Sequence, residues 1–132
     1  MRVVFDSNIY ISALVFPGSQ ADQAFSRVLE GTDTLVLSKA ILDEVLGILA
    51  RKFSRDPEAL SQTAVLMAEM GEIVKPVRTV DVFKDDPDNR VLECAEAGHA
   101  ECIVTGDKVM LELKQYGSIR LIPLREYLSS KF

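Results

Sequence analysis

Short apolar runs punctuate the chain, and each stops at a polar residue. Val3-Val4-Phe5, Leu35-Val36-Leu37, Cys102-Ile103-Val104 and Ile119 to Ile122 are rich in β-branched and aliphatic residues and predict buried strands. Between them the apolar positions change to helical spacing. Ala21, Ala24, Phe25, Val28 and Leu29 fall on one face of a helix predicted over Gln20 to Glu30, capped by Ser19 and ended by Gly31. Ile41, Leu42, Val45, Leu46 and Leu49 make the stripe of a helix beginning at Ser38, and Leu60, Ala64, Met67 and Ala68 that of a helix from Pro57 to about Gly71. Asn8 to Val15 reads as a short helix or turn closed by Phe16-Pro17-Gly18.

The rest of the pattern is shorter. Ile73-Val74, cut off by Pro76, suits an edge or terminating strand. Lys84-Asp85-Asp86-Pro87-Asp88-Asn89-Arg90 is a loop and helix entrance, followed by Val91, Leu92, Cys94 and Ala95 up to Gly98. Asp107 caps a helix to about Leu113, Gly117 breaks it, and Pro123 starts a terminal helix to about Ser129. Strands alternating with helices predict βαβ units: a parallel sheet with right-handed crossovers and helices on both faces. With no repeat, low-complexity tract or linker, residues 1–132 are expected to form one domain.

Composition removes several functions. Apolar residues at 48% and charged residues at 27% are ordinary for globular proteins. No stretch is long enough to span a bilayer and no signal peptide is seen, so a cytoplasmic protein without membrane contact is expected. A single histidine, His99, excludes a Cys/His zinc site and leaves little room for histidine-based nucleophilic catalysis; following Gly98, it reads as a helix-end residue. Cys94 and Cys102 read as buried reduced thiols. A net charge of -5 argues against general duplex-DNA binding, yet it suits a carboxylate site whose bound cations reverse the local field.

The chemistry lies in where the acids fall. Asp6 and Asp107 each stand just past a strand, and Glu44 and Asp88 lie early in helices that begin at the same sheet edge, where ligands of open α/β sheets bind. Each alone has an ordinary explanation: a helix cap for Asp6 and Asp107, a solvated first-turn acid for Glu44, capping and charge for Asp88. Together they would repel unless a hard cation held them, and oxygen donors without Cys or His select Mg²⁺ or Mn²⁺. Such an ion acidifies water and stabilises charge on a phosphodiester. A crevice of coincident acids binding cations adventitiously is the alternative on the residues alone.

Four segments taken in order carry a family resemblance. Val3-Val4-Phe5-Asp6-Ser7-Asn8, Leu37-Ser38 leading to Glu44-Val45, Asp86-Pro87-Asp88-Asn89-Arg90-Val91-Leu92-Glu93-Cys94-Ala95 and Ile103-Val104-Thr105-Gly106-Asp107 resemble the successive signatures of PIN-domain proteins, over nearly the full chain. The likeness is greatest to the branch of VapC-like toxins of toxin-antitoxin systems. It implies a three-layer α/β/α sandwich with a central, mainly parallel sheet, and a Mg²⁺- or Mn²⁺-dependent endoribonuclease acting on RNA. By position Asp6, Glu44, Asp88 and Asp107 match the family's acidic metal-binding quartet, and Asn8 and Thr105 match its supporting polar residues. Asp85, Asp86 and Glu93, one helical turn on, compete with Asp88 for the third place; Asp88 is assigned because it stands at the helix entrance before Asn89. The resemblance also implies a homodimer and a small antitoxin protein that blocks the crevice. Lys39, Lys84, Arg90 and Lys108 lie beside the motifs and are candidates for steering RNA.

Other readings are a PIN nuclease of RNA processing without a toxin role, a non-catalytic RNA- or protein-binding PIN module, and a phosphohydrolase with an aspartyl nucleophile. The intact quartet opposes the second. The third wants two close acids after the first strand, where this chain has Asp6-Ser7-Asn8.

Overall fold

Strands form where the sequence is most continuously apolar. In the computed structural model, which describes residues 1–129, β1 (Arg2–Phe5), β2 (Thr34–Ser38) and β4 (Cys102–Val104) bury Val3, Val4, Phe5, Val36, Leu37, Ile103 and Val104 completely. Such strands need cover on both faces, the usual condition of parallel sheets. With β3 (Gly71–Val74), β5 (Gln115–Tyr116) and β6 (Ile119–Ile122) they make one sheet of order β3-β2-β1-β4-β6-β5, parallel except for the β5–β6 pair.

The helices are α1 (Ser7–Val15), α2 (Gln20–Leu29), α3 (Lys39–Lys52), α4 (Pro57–Met70), α5 (Asp86–Ala97), α6 (Lys108–Leu113) and α7 (Leu124–Ser129). The Phe5 ring meets Tyr10 of α1, Phe25 of α2 and Tyr127 of α7 at centroid separations of 5.9, 6.4 and 5.7 Å, which covers one face of β1. The pairing Val3↔Leu35 places Val36 on the opposite face, where the end of α5 approaches so closely that a Cβ on Gly98 would collide with Val36. Helices therefore lie on both faces, giving the expected three-layer α/β/α arrangement. His99 follows in the left-handed region at φ 51 and ends the helix, as its place after Gly98 suggested. Cys94 and Cys102 are buried free thiols, both pushed up to about 12 by burial.

The N-terminal edge of the sheet is fastened by Asp33, whose buried carboxylate accepts from the Met1 amine at 3.1 Å and the Tyr127 hydroxyl at 2.7 Å and lies 3.3 Å from Arg27. Two elements differ from expectation. β5 escaped the sequence reading because two residues carry no periodicity; it forms by turning back on β6 through Gly117, at φ 60. α5 begins at Asp86, ahead of its apolar run, because Pro87 and the acids Asp86 and Asp88 suit a first helical turn. β3 has the edge position its proline suggested. Among the described residues no helix is long and apolar enough to cross a membrane.

This strand order determines where a ligand can sit. From β1 the chain moves outward through β2 to β3, then returns to lay β4 on the other side of β1. The order reverses between β1 and β4, and the crevice beyond their carboxyl ends opens there.

Candidate metal centre

Asp6 and Thr105 stand side by side at that crevice because the strands before them pair. The register Phe5↔Val104 continues one step further, with the Asp6 N–H donating to the Val104 carbonyl at 3.0 Å. The Asp6 side chain is only 6% exposed and both oxygens are engaged: Oδ1 accepts the Ser7 N–H at 2.7 Å, and Oδ2 accepts the Thr105 hydroxyl at 2.8 Å. Thr105 Oγ1 in turn accepts the Asp107 N–H at 3.0 Å, and Asp107 Oδ1 caps α6 by accepting from Met110 N at 3.0 Å. Asp6 and Asp107 are thus helix caps and members of the crevice at once, and each carboxylate oxygen keeps a second lone pair.

Glu44 and Asp88 come to the same crevice from the helices. Asp88 lies in the first turn of α5, 8% exposed, and Glu44 is half-buried on α3. Burial raises the Asp6 carboxyl above the usual carboxylate range, and the charges of Asp107 and Asp85 add to it, against Thr105 and Ser7. Glu44 is raised by burial and then by Asp6. Asp88 is pushed up to about 7, by burial first and then by Asp6, Asp85, Asp107 and Glu44. The four acids expected from sequence therefore act on one another as a group. Asp85 joins them as a fifth: it is the N-cap residue of α5, yet its side chain makes no capping bond.

The other candidates fall elsewhere. Asn8 is exposed on the first turn of α1. Asp86 is exposed, 3.8 Å from Arg90. Glu93 accepts the Val80 N–H at 2.8 Å and lies 2.8 Å from Arg90, so it braces the segment before α5. Asn89 continues that brace, accepting from Val82 N and Phe83 N at 2.9 and 2.7 Å and donating to the Phe83 carbonyl at 2.8 Å. Of the flanking cations, Arg90 is thereby engaged and Lys39 pairs with Asp43 at 2.7 Å, which leaves Lys84 and Lys108 exposed near the acids. Sequence reasoning named Asp85 only as an alternative to Asp88, and it missed the role of Asn89 and Ser7, whose buried hydroxyl has no partner at hydrogen-bonding distance although it eases the charge on Glu44. Ser7 follows Asp6 directly; that adjacency was the only available signal.

These residues fit a hard divalent cation. The donors are oxygens, the carboxylates are crowded and partly desolvated, and an orphaned hydroxyl adjoins them. They do not form a closed ligand shell: among the described residues no three Asp, Glu, His or Cys side chains gather closely enough to share one ion. A cavity of 470 Å³ opens beside Asp85, Asp88 and Asp107, whereas a larger hollow of 670 Å³ lies near His99, Glu101 and Arg120, beyond the opposite ends of the strands and away from the acids.

Comparison with known proteins agrees with this architecture. The uncharacterized protein MJ1680 of Methanocaldococcus jannaschii is 26% identical over 118 residues, covering 86% of this chain and 76% of that protein. The fold is similar to a chain in the crystal structure of VapBC2 from Rickettsia felis bound to a DNA fragment from their promoter, with a TM-score of 0.66 and 16% identity over 93% of this chain and 98% of that one. It is similar as well to a chain of VapBC-1 from nontypeable Haemophilus influenzae, with a TM-score of 0.65 and 16% identity over 95% and 99% of the two chains. A family profile described as PIN domain matches residues 2–109, the span that runs from β1 through all of the crevice acids to Val109. With its sheet order, its strand-end acids and this match in agreement, the chain belongs to the PIN domain family.

Proposed function

We propose that the chain, folded as one PIN-like domain over residues 1–132, is a Mg²⁺- or Mn²⁺-dependent endoribonuclease that hydrolyses RNA phosphodiester bonds in the cytoplasm as the toxin of a toxin-antitoxin pair. The observation that carries this reading is the crowding of Asp6, Glu44, Asp88 and Asp107 at the strand-order reversal, a gathering of like charge that a cation would relieve. Asp6 and Asp107 would hold the principal ion, and Asp88 and Glu44 would serve as direct or water-mediated ligands. Ligation by three acids requires side chains of the group to move closer together, since no three gather among the described residues. When bound, such an ion supplies positive charge to the phosphate and acidifies water.

The chain's own groups do the rest. Thr105 keeps the Asp6 carboxylate aimed at the crevice, and Asn89 and Glu93 hold the segment that delivers Asp85 and α5. Glu44, raised above an ordinary glutamate, is the candidate to take a proton from the attacking water. Lys84 and Lys108 face the RNA backbone, and Asn8 adds a polar contact beside Asp6. The fold shared with chains of VapBC complexes supports a small antitoxin protein as partner. A homodimer belongs to the same proposal, on the family resemblance alone.

The test is cleavage of labelled single-stranded RNA by the purified protein in Mn²⁺ or Mg²⁺, beside EDTA and an Asp6→Asn variant. Cleavage that needs the metal and vanishes in the variant is expected. Equal cleavage by both proteins, or none by a folded, metal-loaded wild type, would overturn the general ribonuclease reading.

A further inference from the structure

The cavity beside the acids is lined by apolar side chains as well. Asp85, Asp88 and Asp107 line it together with Val82, Phe83, Lys84 and Val109, so that the segment before α5 and the start of α6 each bring a valine as well as an acid. Val82 is 46% and Val109 59% exposed. A lone exposed valine is ordinary, but these two come from segments far apart in sequence and meet across one 470 Å³ cavity that also holds three carboxylates. Neither is loosely held. The Val82 and Phe83 N–H groups are fixed on Asn89, and Val109 sits in the first turn of α6, which Asp107 caps.

We propose that this cavity is a nucleobase subsite, in which one base of the bound RNA lies against Val82 and Val109 while its phosphate is drawn to the cation that the acids would hold. The inference rests on the nuclease reading above and adds to it where a base of the RNA is held. A nucleotide joins a charged phosphate to the apolar face of a base, and one cavity here offers carboxylates that would hold a cation for the phosphate and valines for the base. Burying a base face against two aliphatic side chains rewards binding through apolar area, with no demand on base identity beyond size and edge contacts. Lys84, exposed in the same lining, adds its positive charge to that of the cation the three acids would hold, and the two together favour an occupant that carries phosphate over an apolar protein side chain. The volume is within the range of small-molecule sites.

The test measures binding by calorimetry in Mg²⁺, using the four nucleoside 5′-monophosphates, ribose 5-phosphate and inorganic phosphate, on the wild type and a Val82→Ser/Val109→Ser double variant. Both valines are exposed, so serine opens no internal cavity, and thermal melting checks the fold. At least one nucleoside monophosphate is expected to bind about tenfold more tightly than ribose 5-phosphate, and the double variant to lose that advantage while keeping its Mg²⁺ affinity within about twofold. Equal binding of nucleotide and ribose 5-phosphate overturns the subsite, as does an advantage that survives in the variant, which would leave the valines to a protein partner. The two readings separate cleanly. Base-dependent binding without RNA cleavage removes the nuclease and keeps the subsite; metal-dependent cleavage with unchanged KM and cut sites in the variant removes the subsite and keeps the nuclease. Absence of any nucleotide binding overturns the subsite and leaves the nuclease reading to the cleavage assay.

Discussion

The Thr105 hydroxyl donates to Asp6 Oδ2 at 2.8 Å while accepting the Asp107 N–H at 3.0 Å, so one side chain joins the acid after β1 to the acid after β4. It is completely buried, and its position follows from the register of the two strands. Replacing it with valine keeps the shape and deletes the bond, leaving Asp6 Oδ2 without its donor. Thr105→Val is expected to weaken Mn²⁺ binding by roughly 10- to 100-fold, as loss of an orienting partner does at metal sites, and Thr105→Ser to restore most of it. Calorimetric titration decides, and equal affinity in the valine variant would remove the orienting role.

Asp6→Asn is expected to stay folded, because the Thr105 hydroxyl can rotate to accept from the new amide. Wild type should gain several degrees in Tm when Mn²⁺ is added, through binding linkage, and the variant little or none. An undiminished Mn²⁺ response in the variant would take Asp6 out of the ligand set.

The pH dependence of the metal-free protein follows from the direction of the shifts. Asp88 is raised from 3.8 to about 7, and Asp6 and Glu44 are raised too, so the fold favours their protonated forms. That contribution is complete below the ordinary carboxylate pKa and is lost as the pH rises through about 7 for Asp88. Glu96, lowered by Arg78, acts in the opposite sense but changes only at more acidic pH. In EDTA the Tm should be lower at pH 8 than at pH 5, and Mg²⁺ should offset the difference. A metal-free protein that melts higher at pH 8 would contradict the crowding of acids.

Glu93→Gln separates the brace from the metal site. Glu93 is tied to Val80 N and Arg90, so its substitution should leave Mn²⁺ affinity within about twofold while speeding hydrogen exchange at the Val80 amide. A large loss of affinity with unchanged exchange would return Glu93 to the ligand set.

Gly98→Ala should destabilise the fold by about 1 to 3 kcal/mol, read from urea unfolding, since the added methyl has Val36 in its way. A companion Val36→Ala substitution should lessen the cost of the glycine change.

The pattern of the chain alone determined much of this. Continuously apolar runs at Val3 to Phe5 and Leu35 to Leu37 meant strands covered on both faces, and their alternation with helical stripes meant parallel pairing with helices on each side. The polar residues that end those strands placed Asp6 and Asp107 at one sheet edge, because parallel strands share their direction. What the chain could not announce was the strand order. That order depends on how non-local apolar surfaces fit, and it alone put β4 beside β1 and so Thr105 against Asp6. Telling the surroundings of Asp88 from those of Glu93 likewise required the helix to be built, since five residues of helix turn the second about 140° away from the first, towards the 80–83 segment. The two-residue β5 was invisible for a related reason: local propensity is too weak to specify it, and it forms only because β6 offers an open edge to pair with.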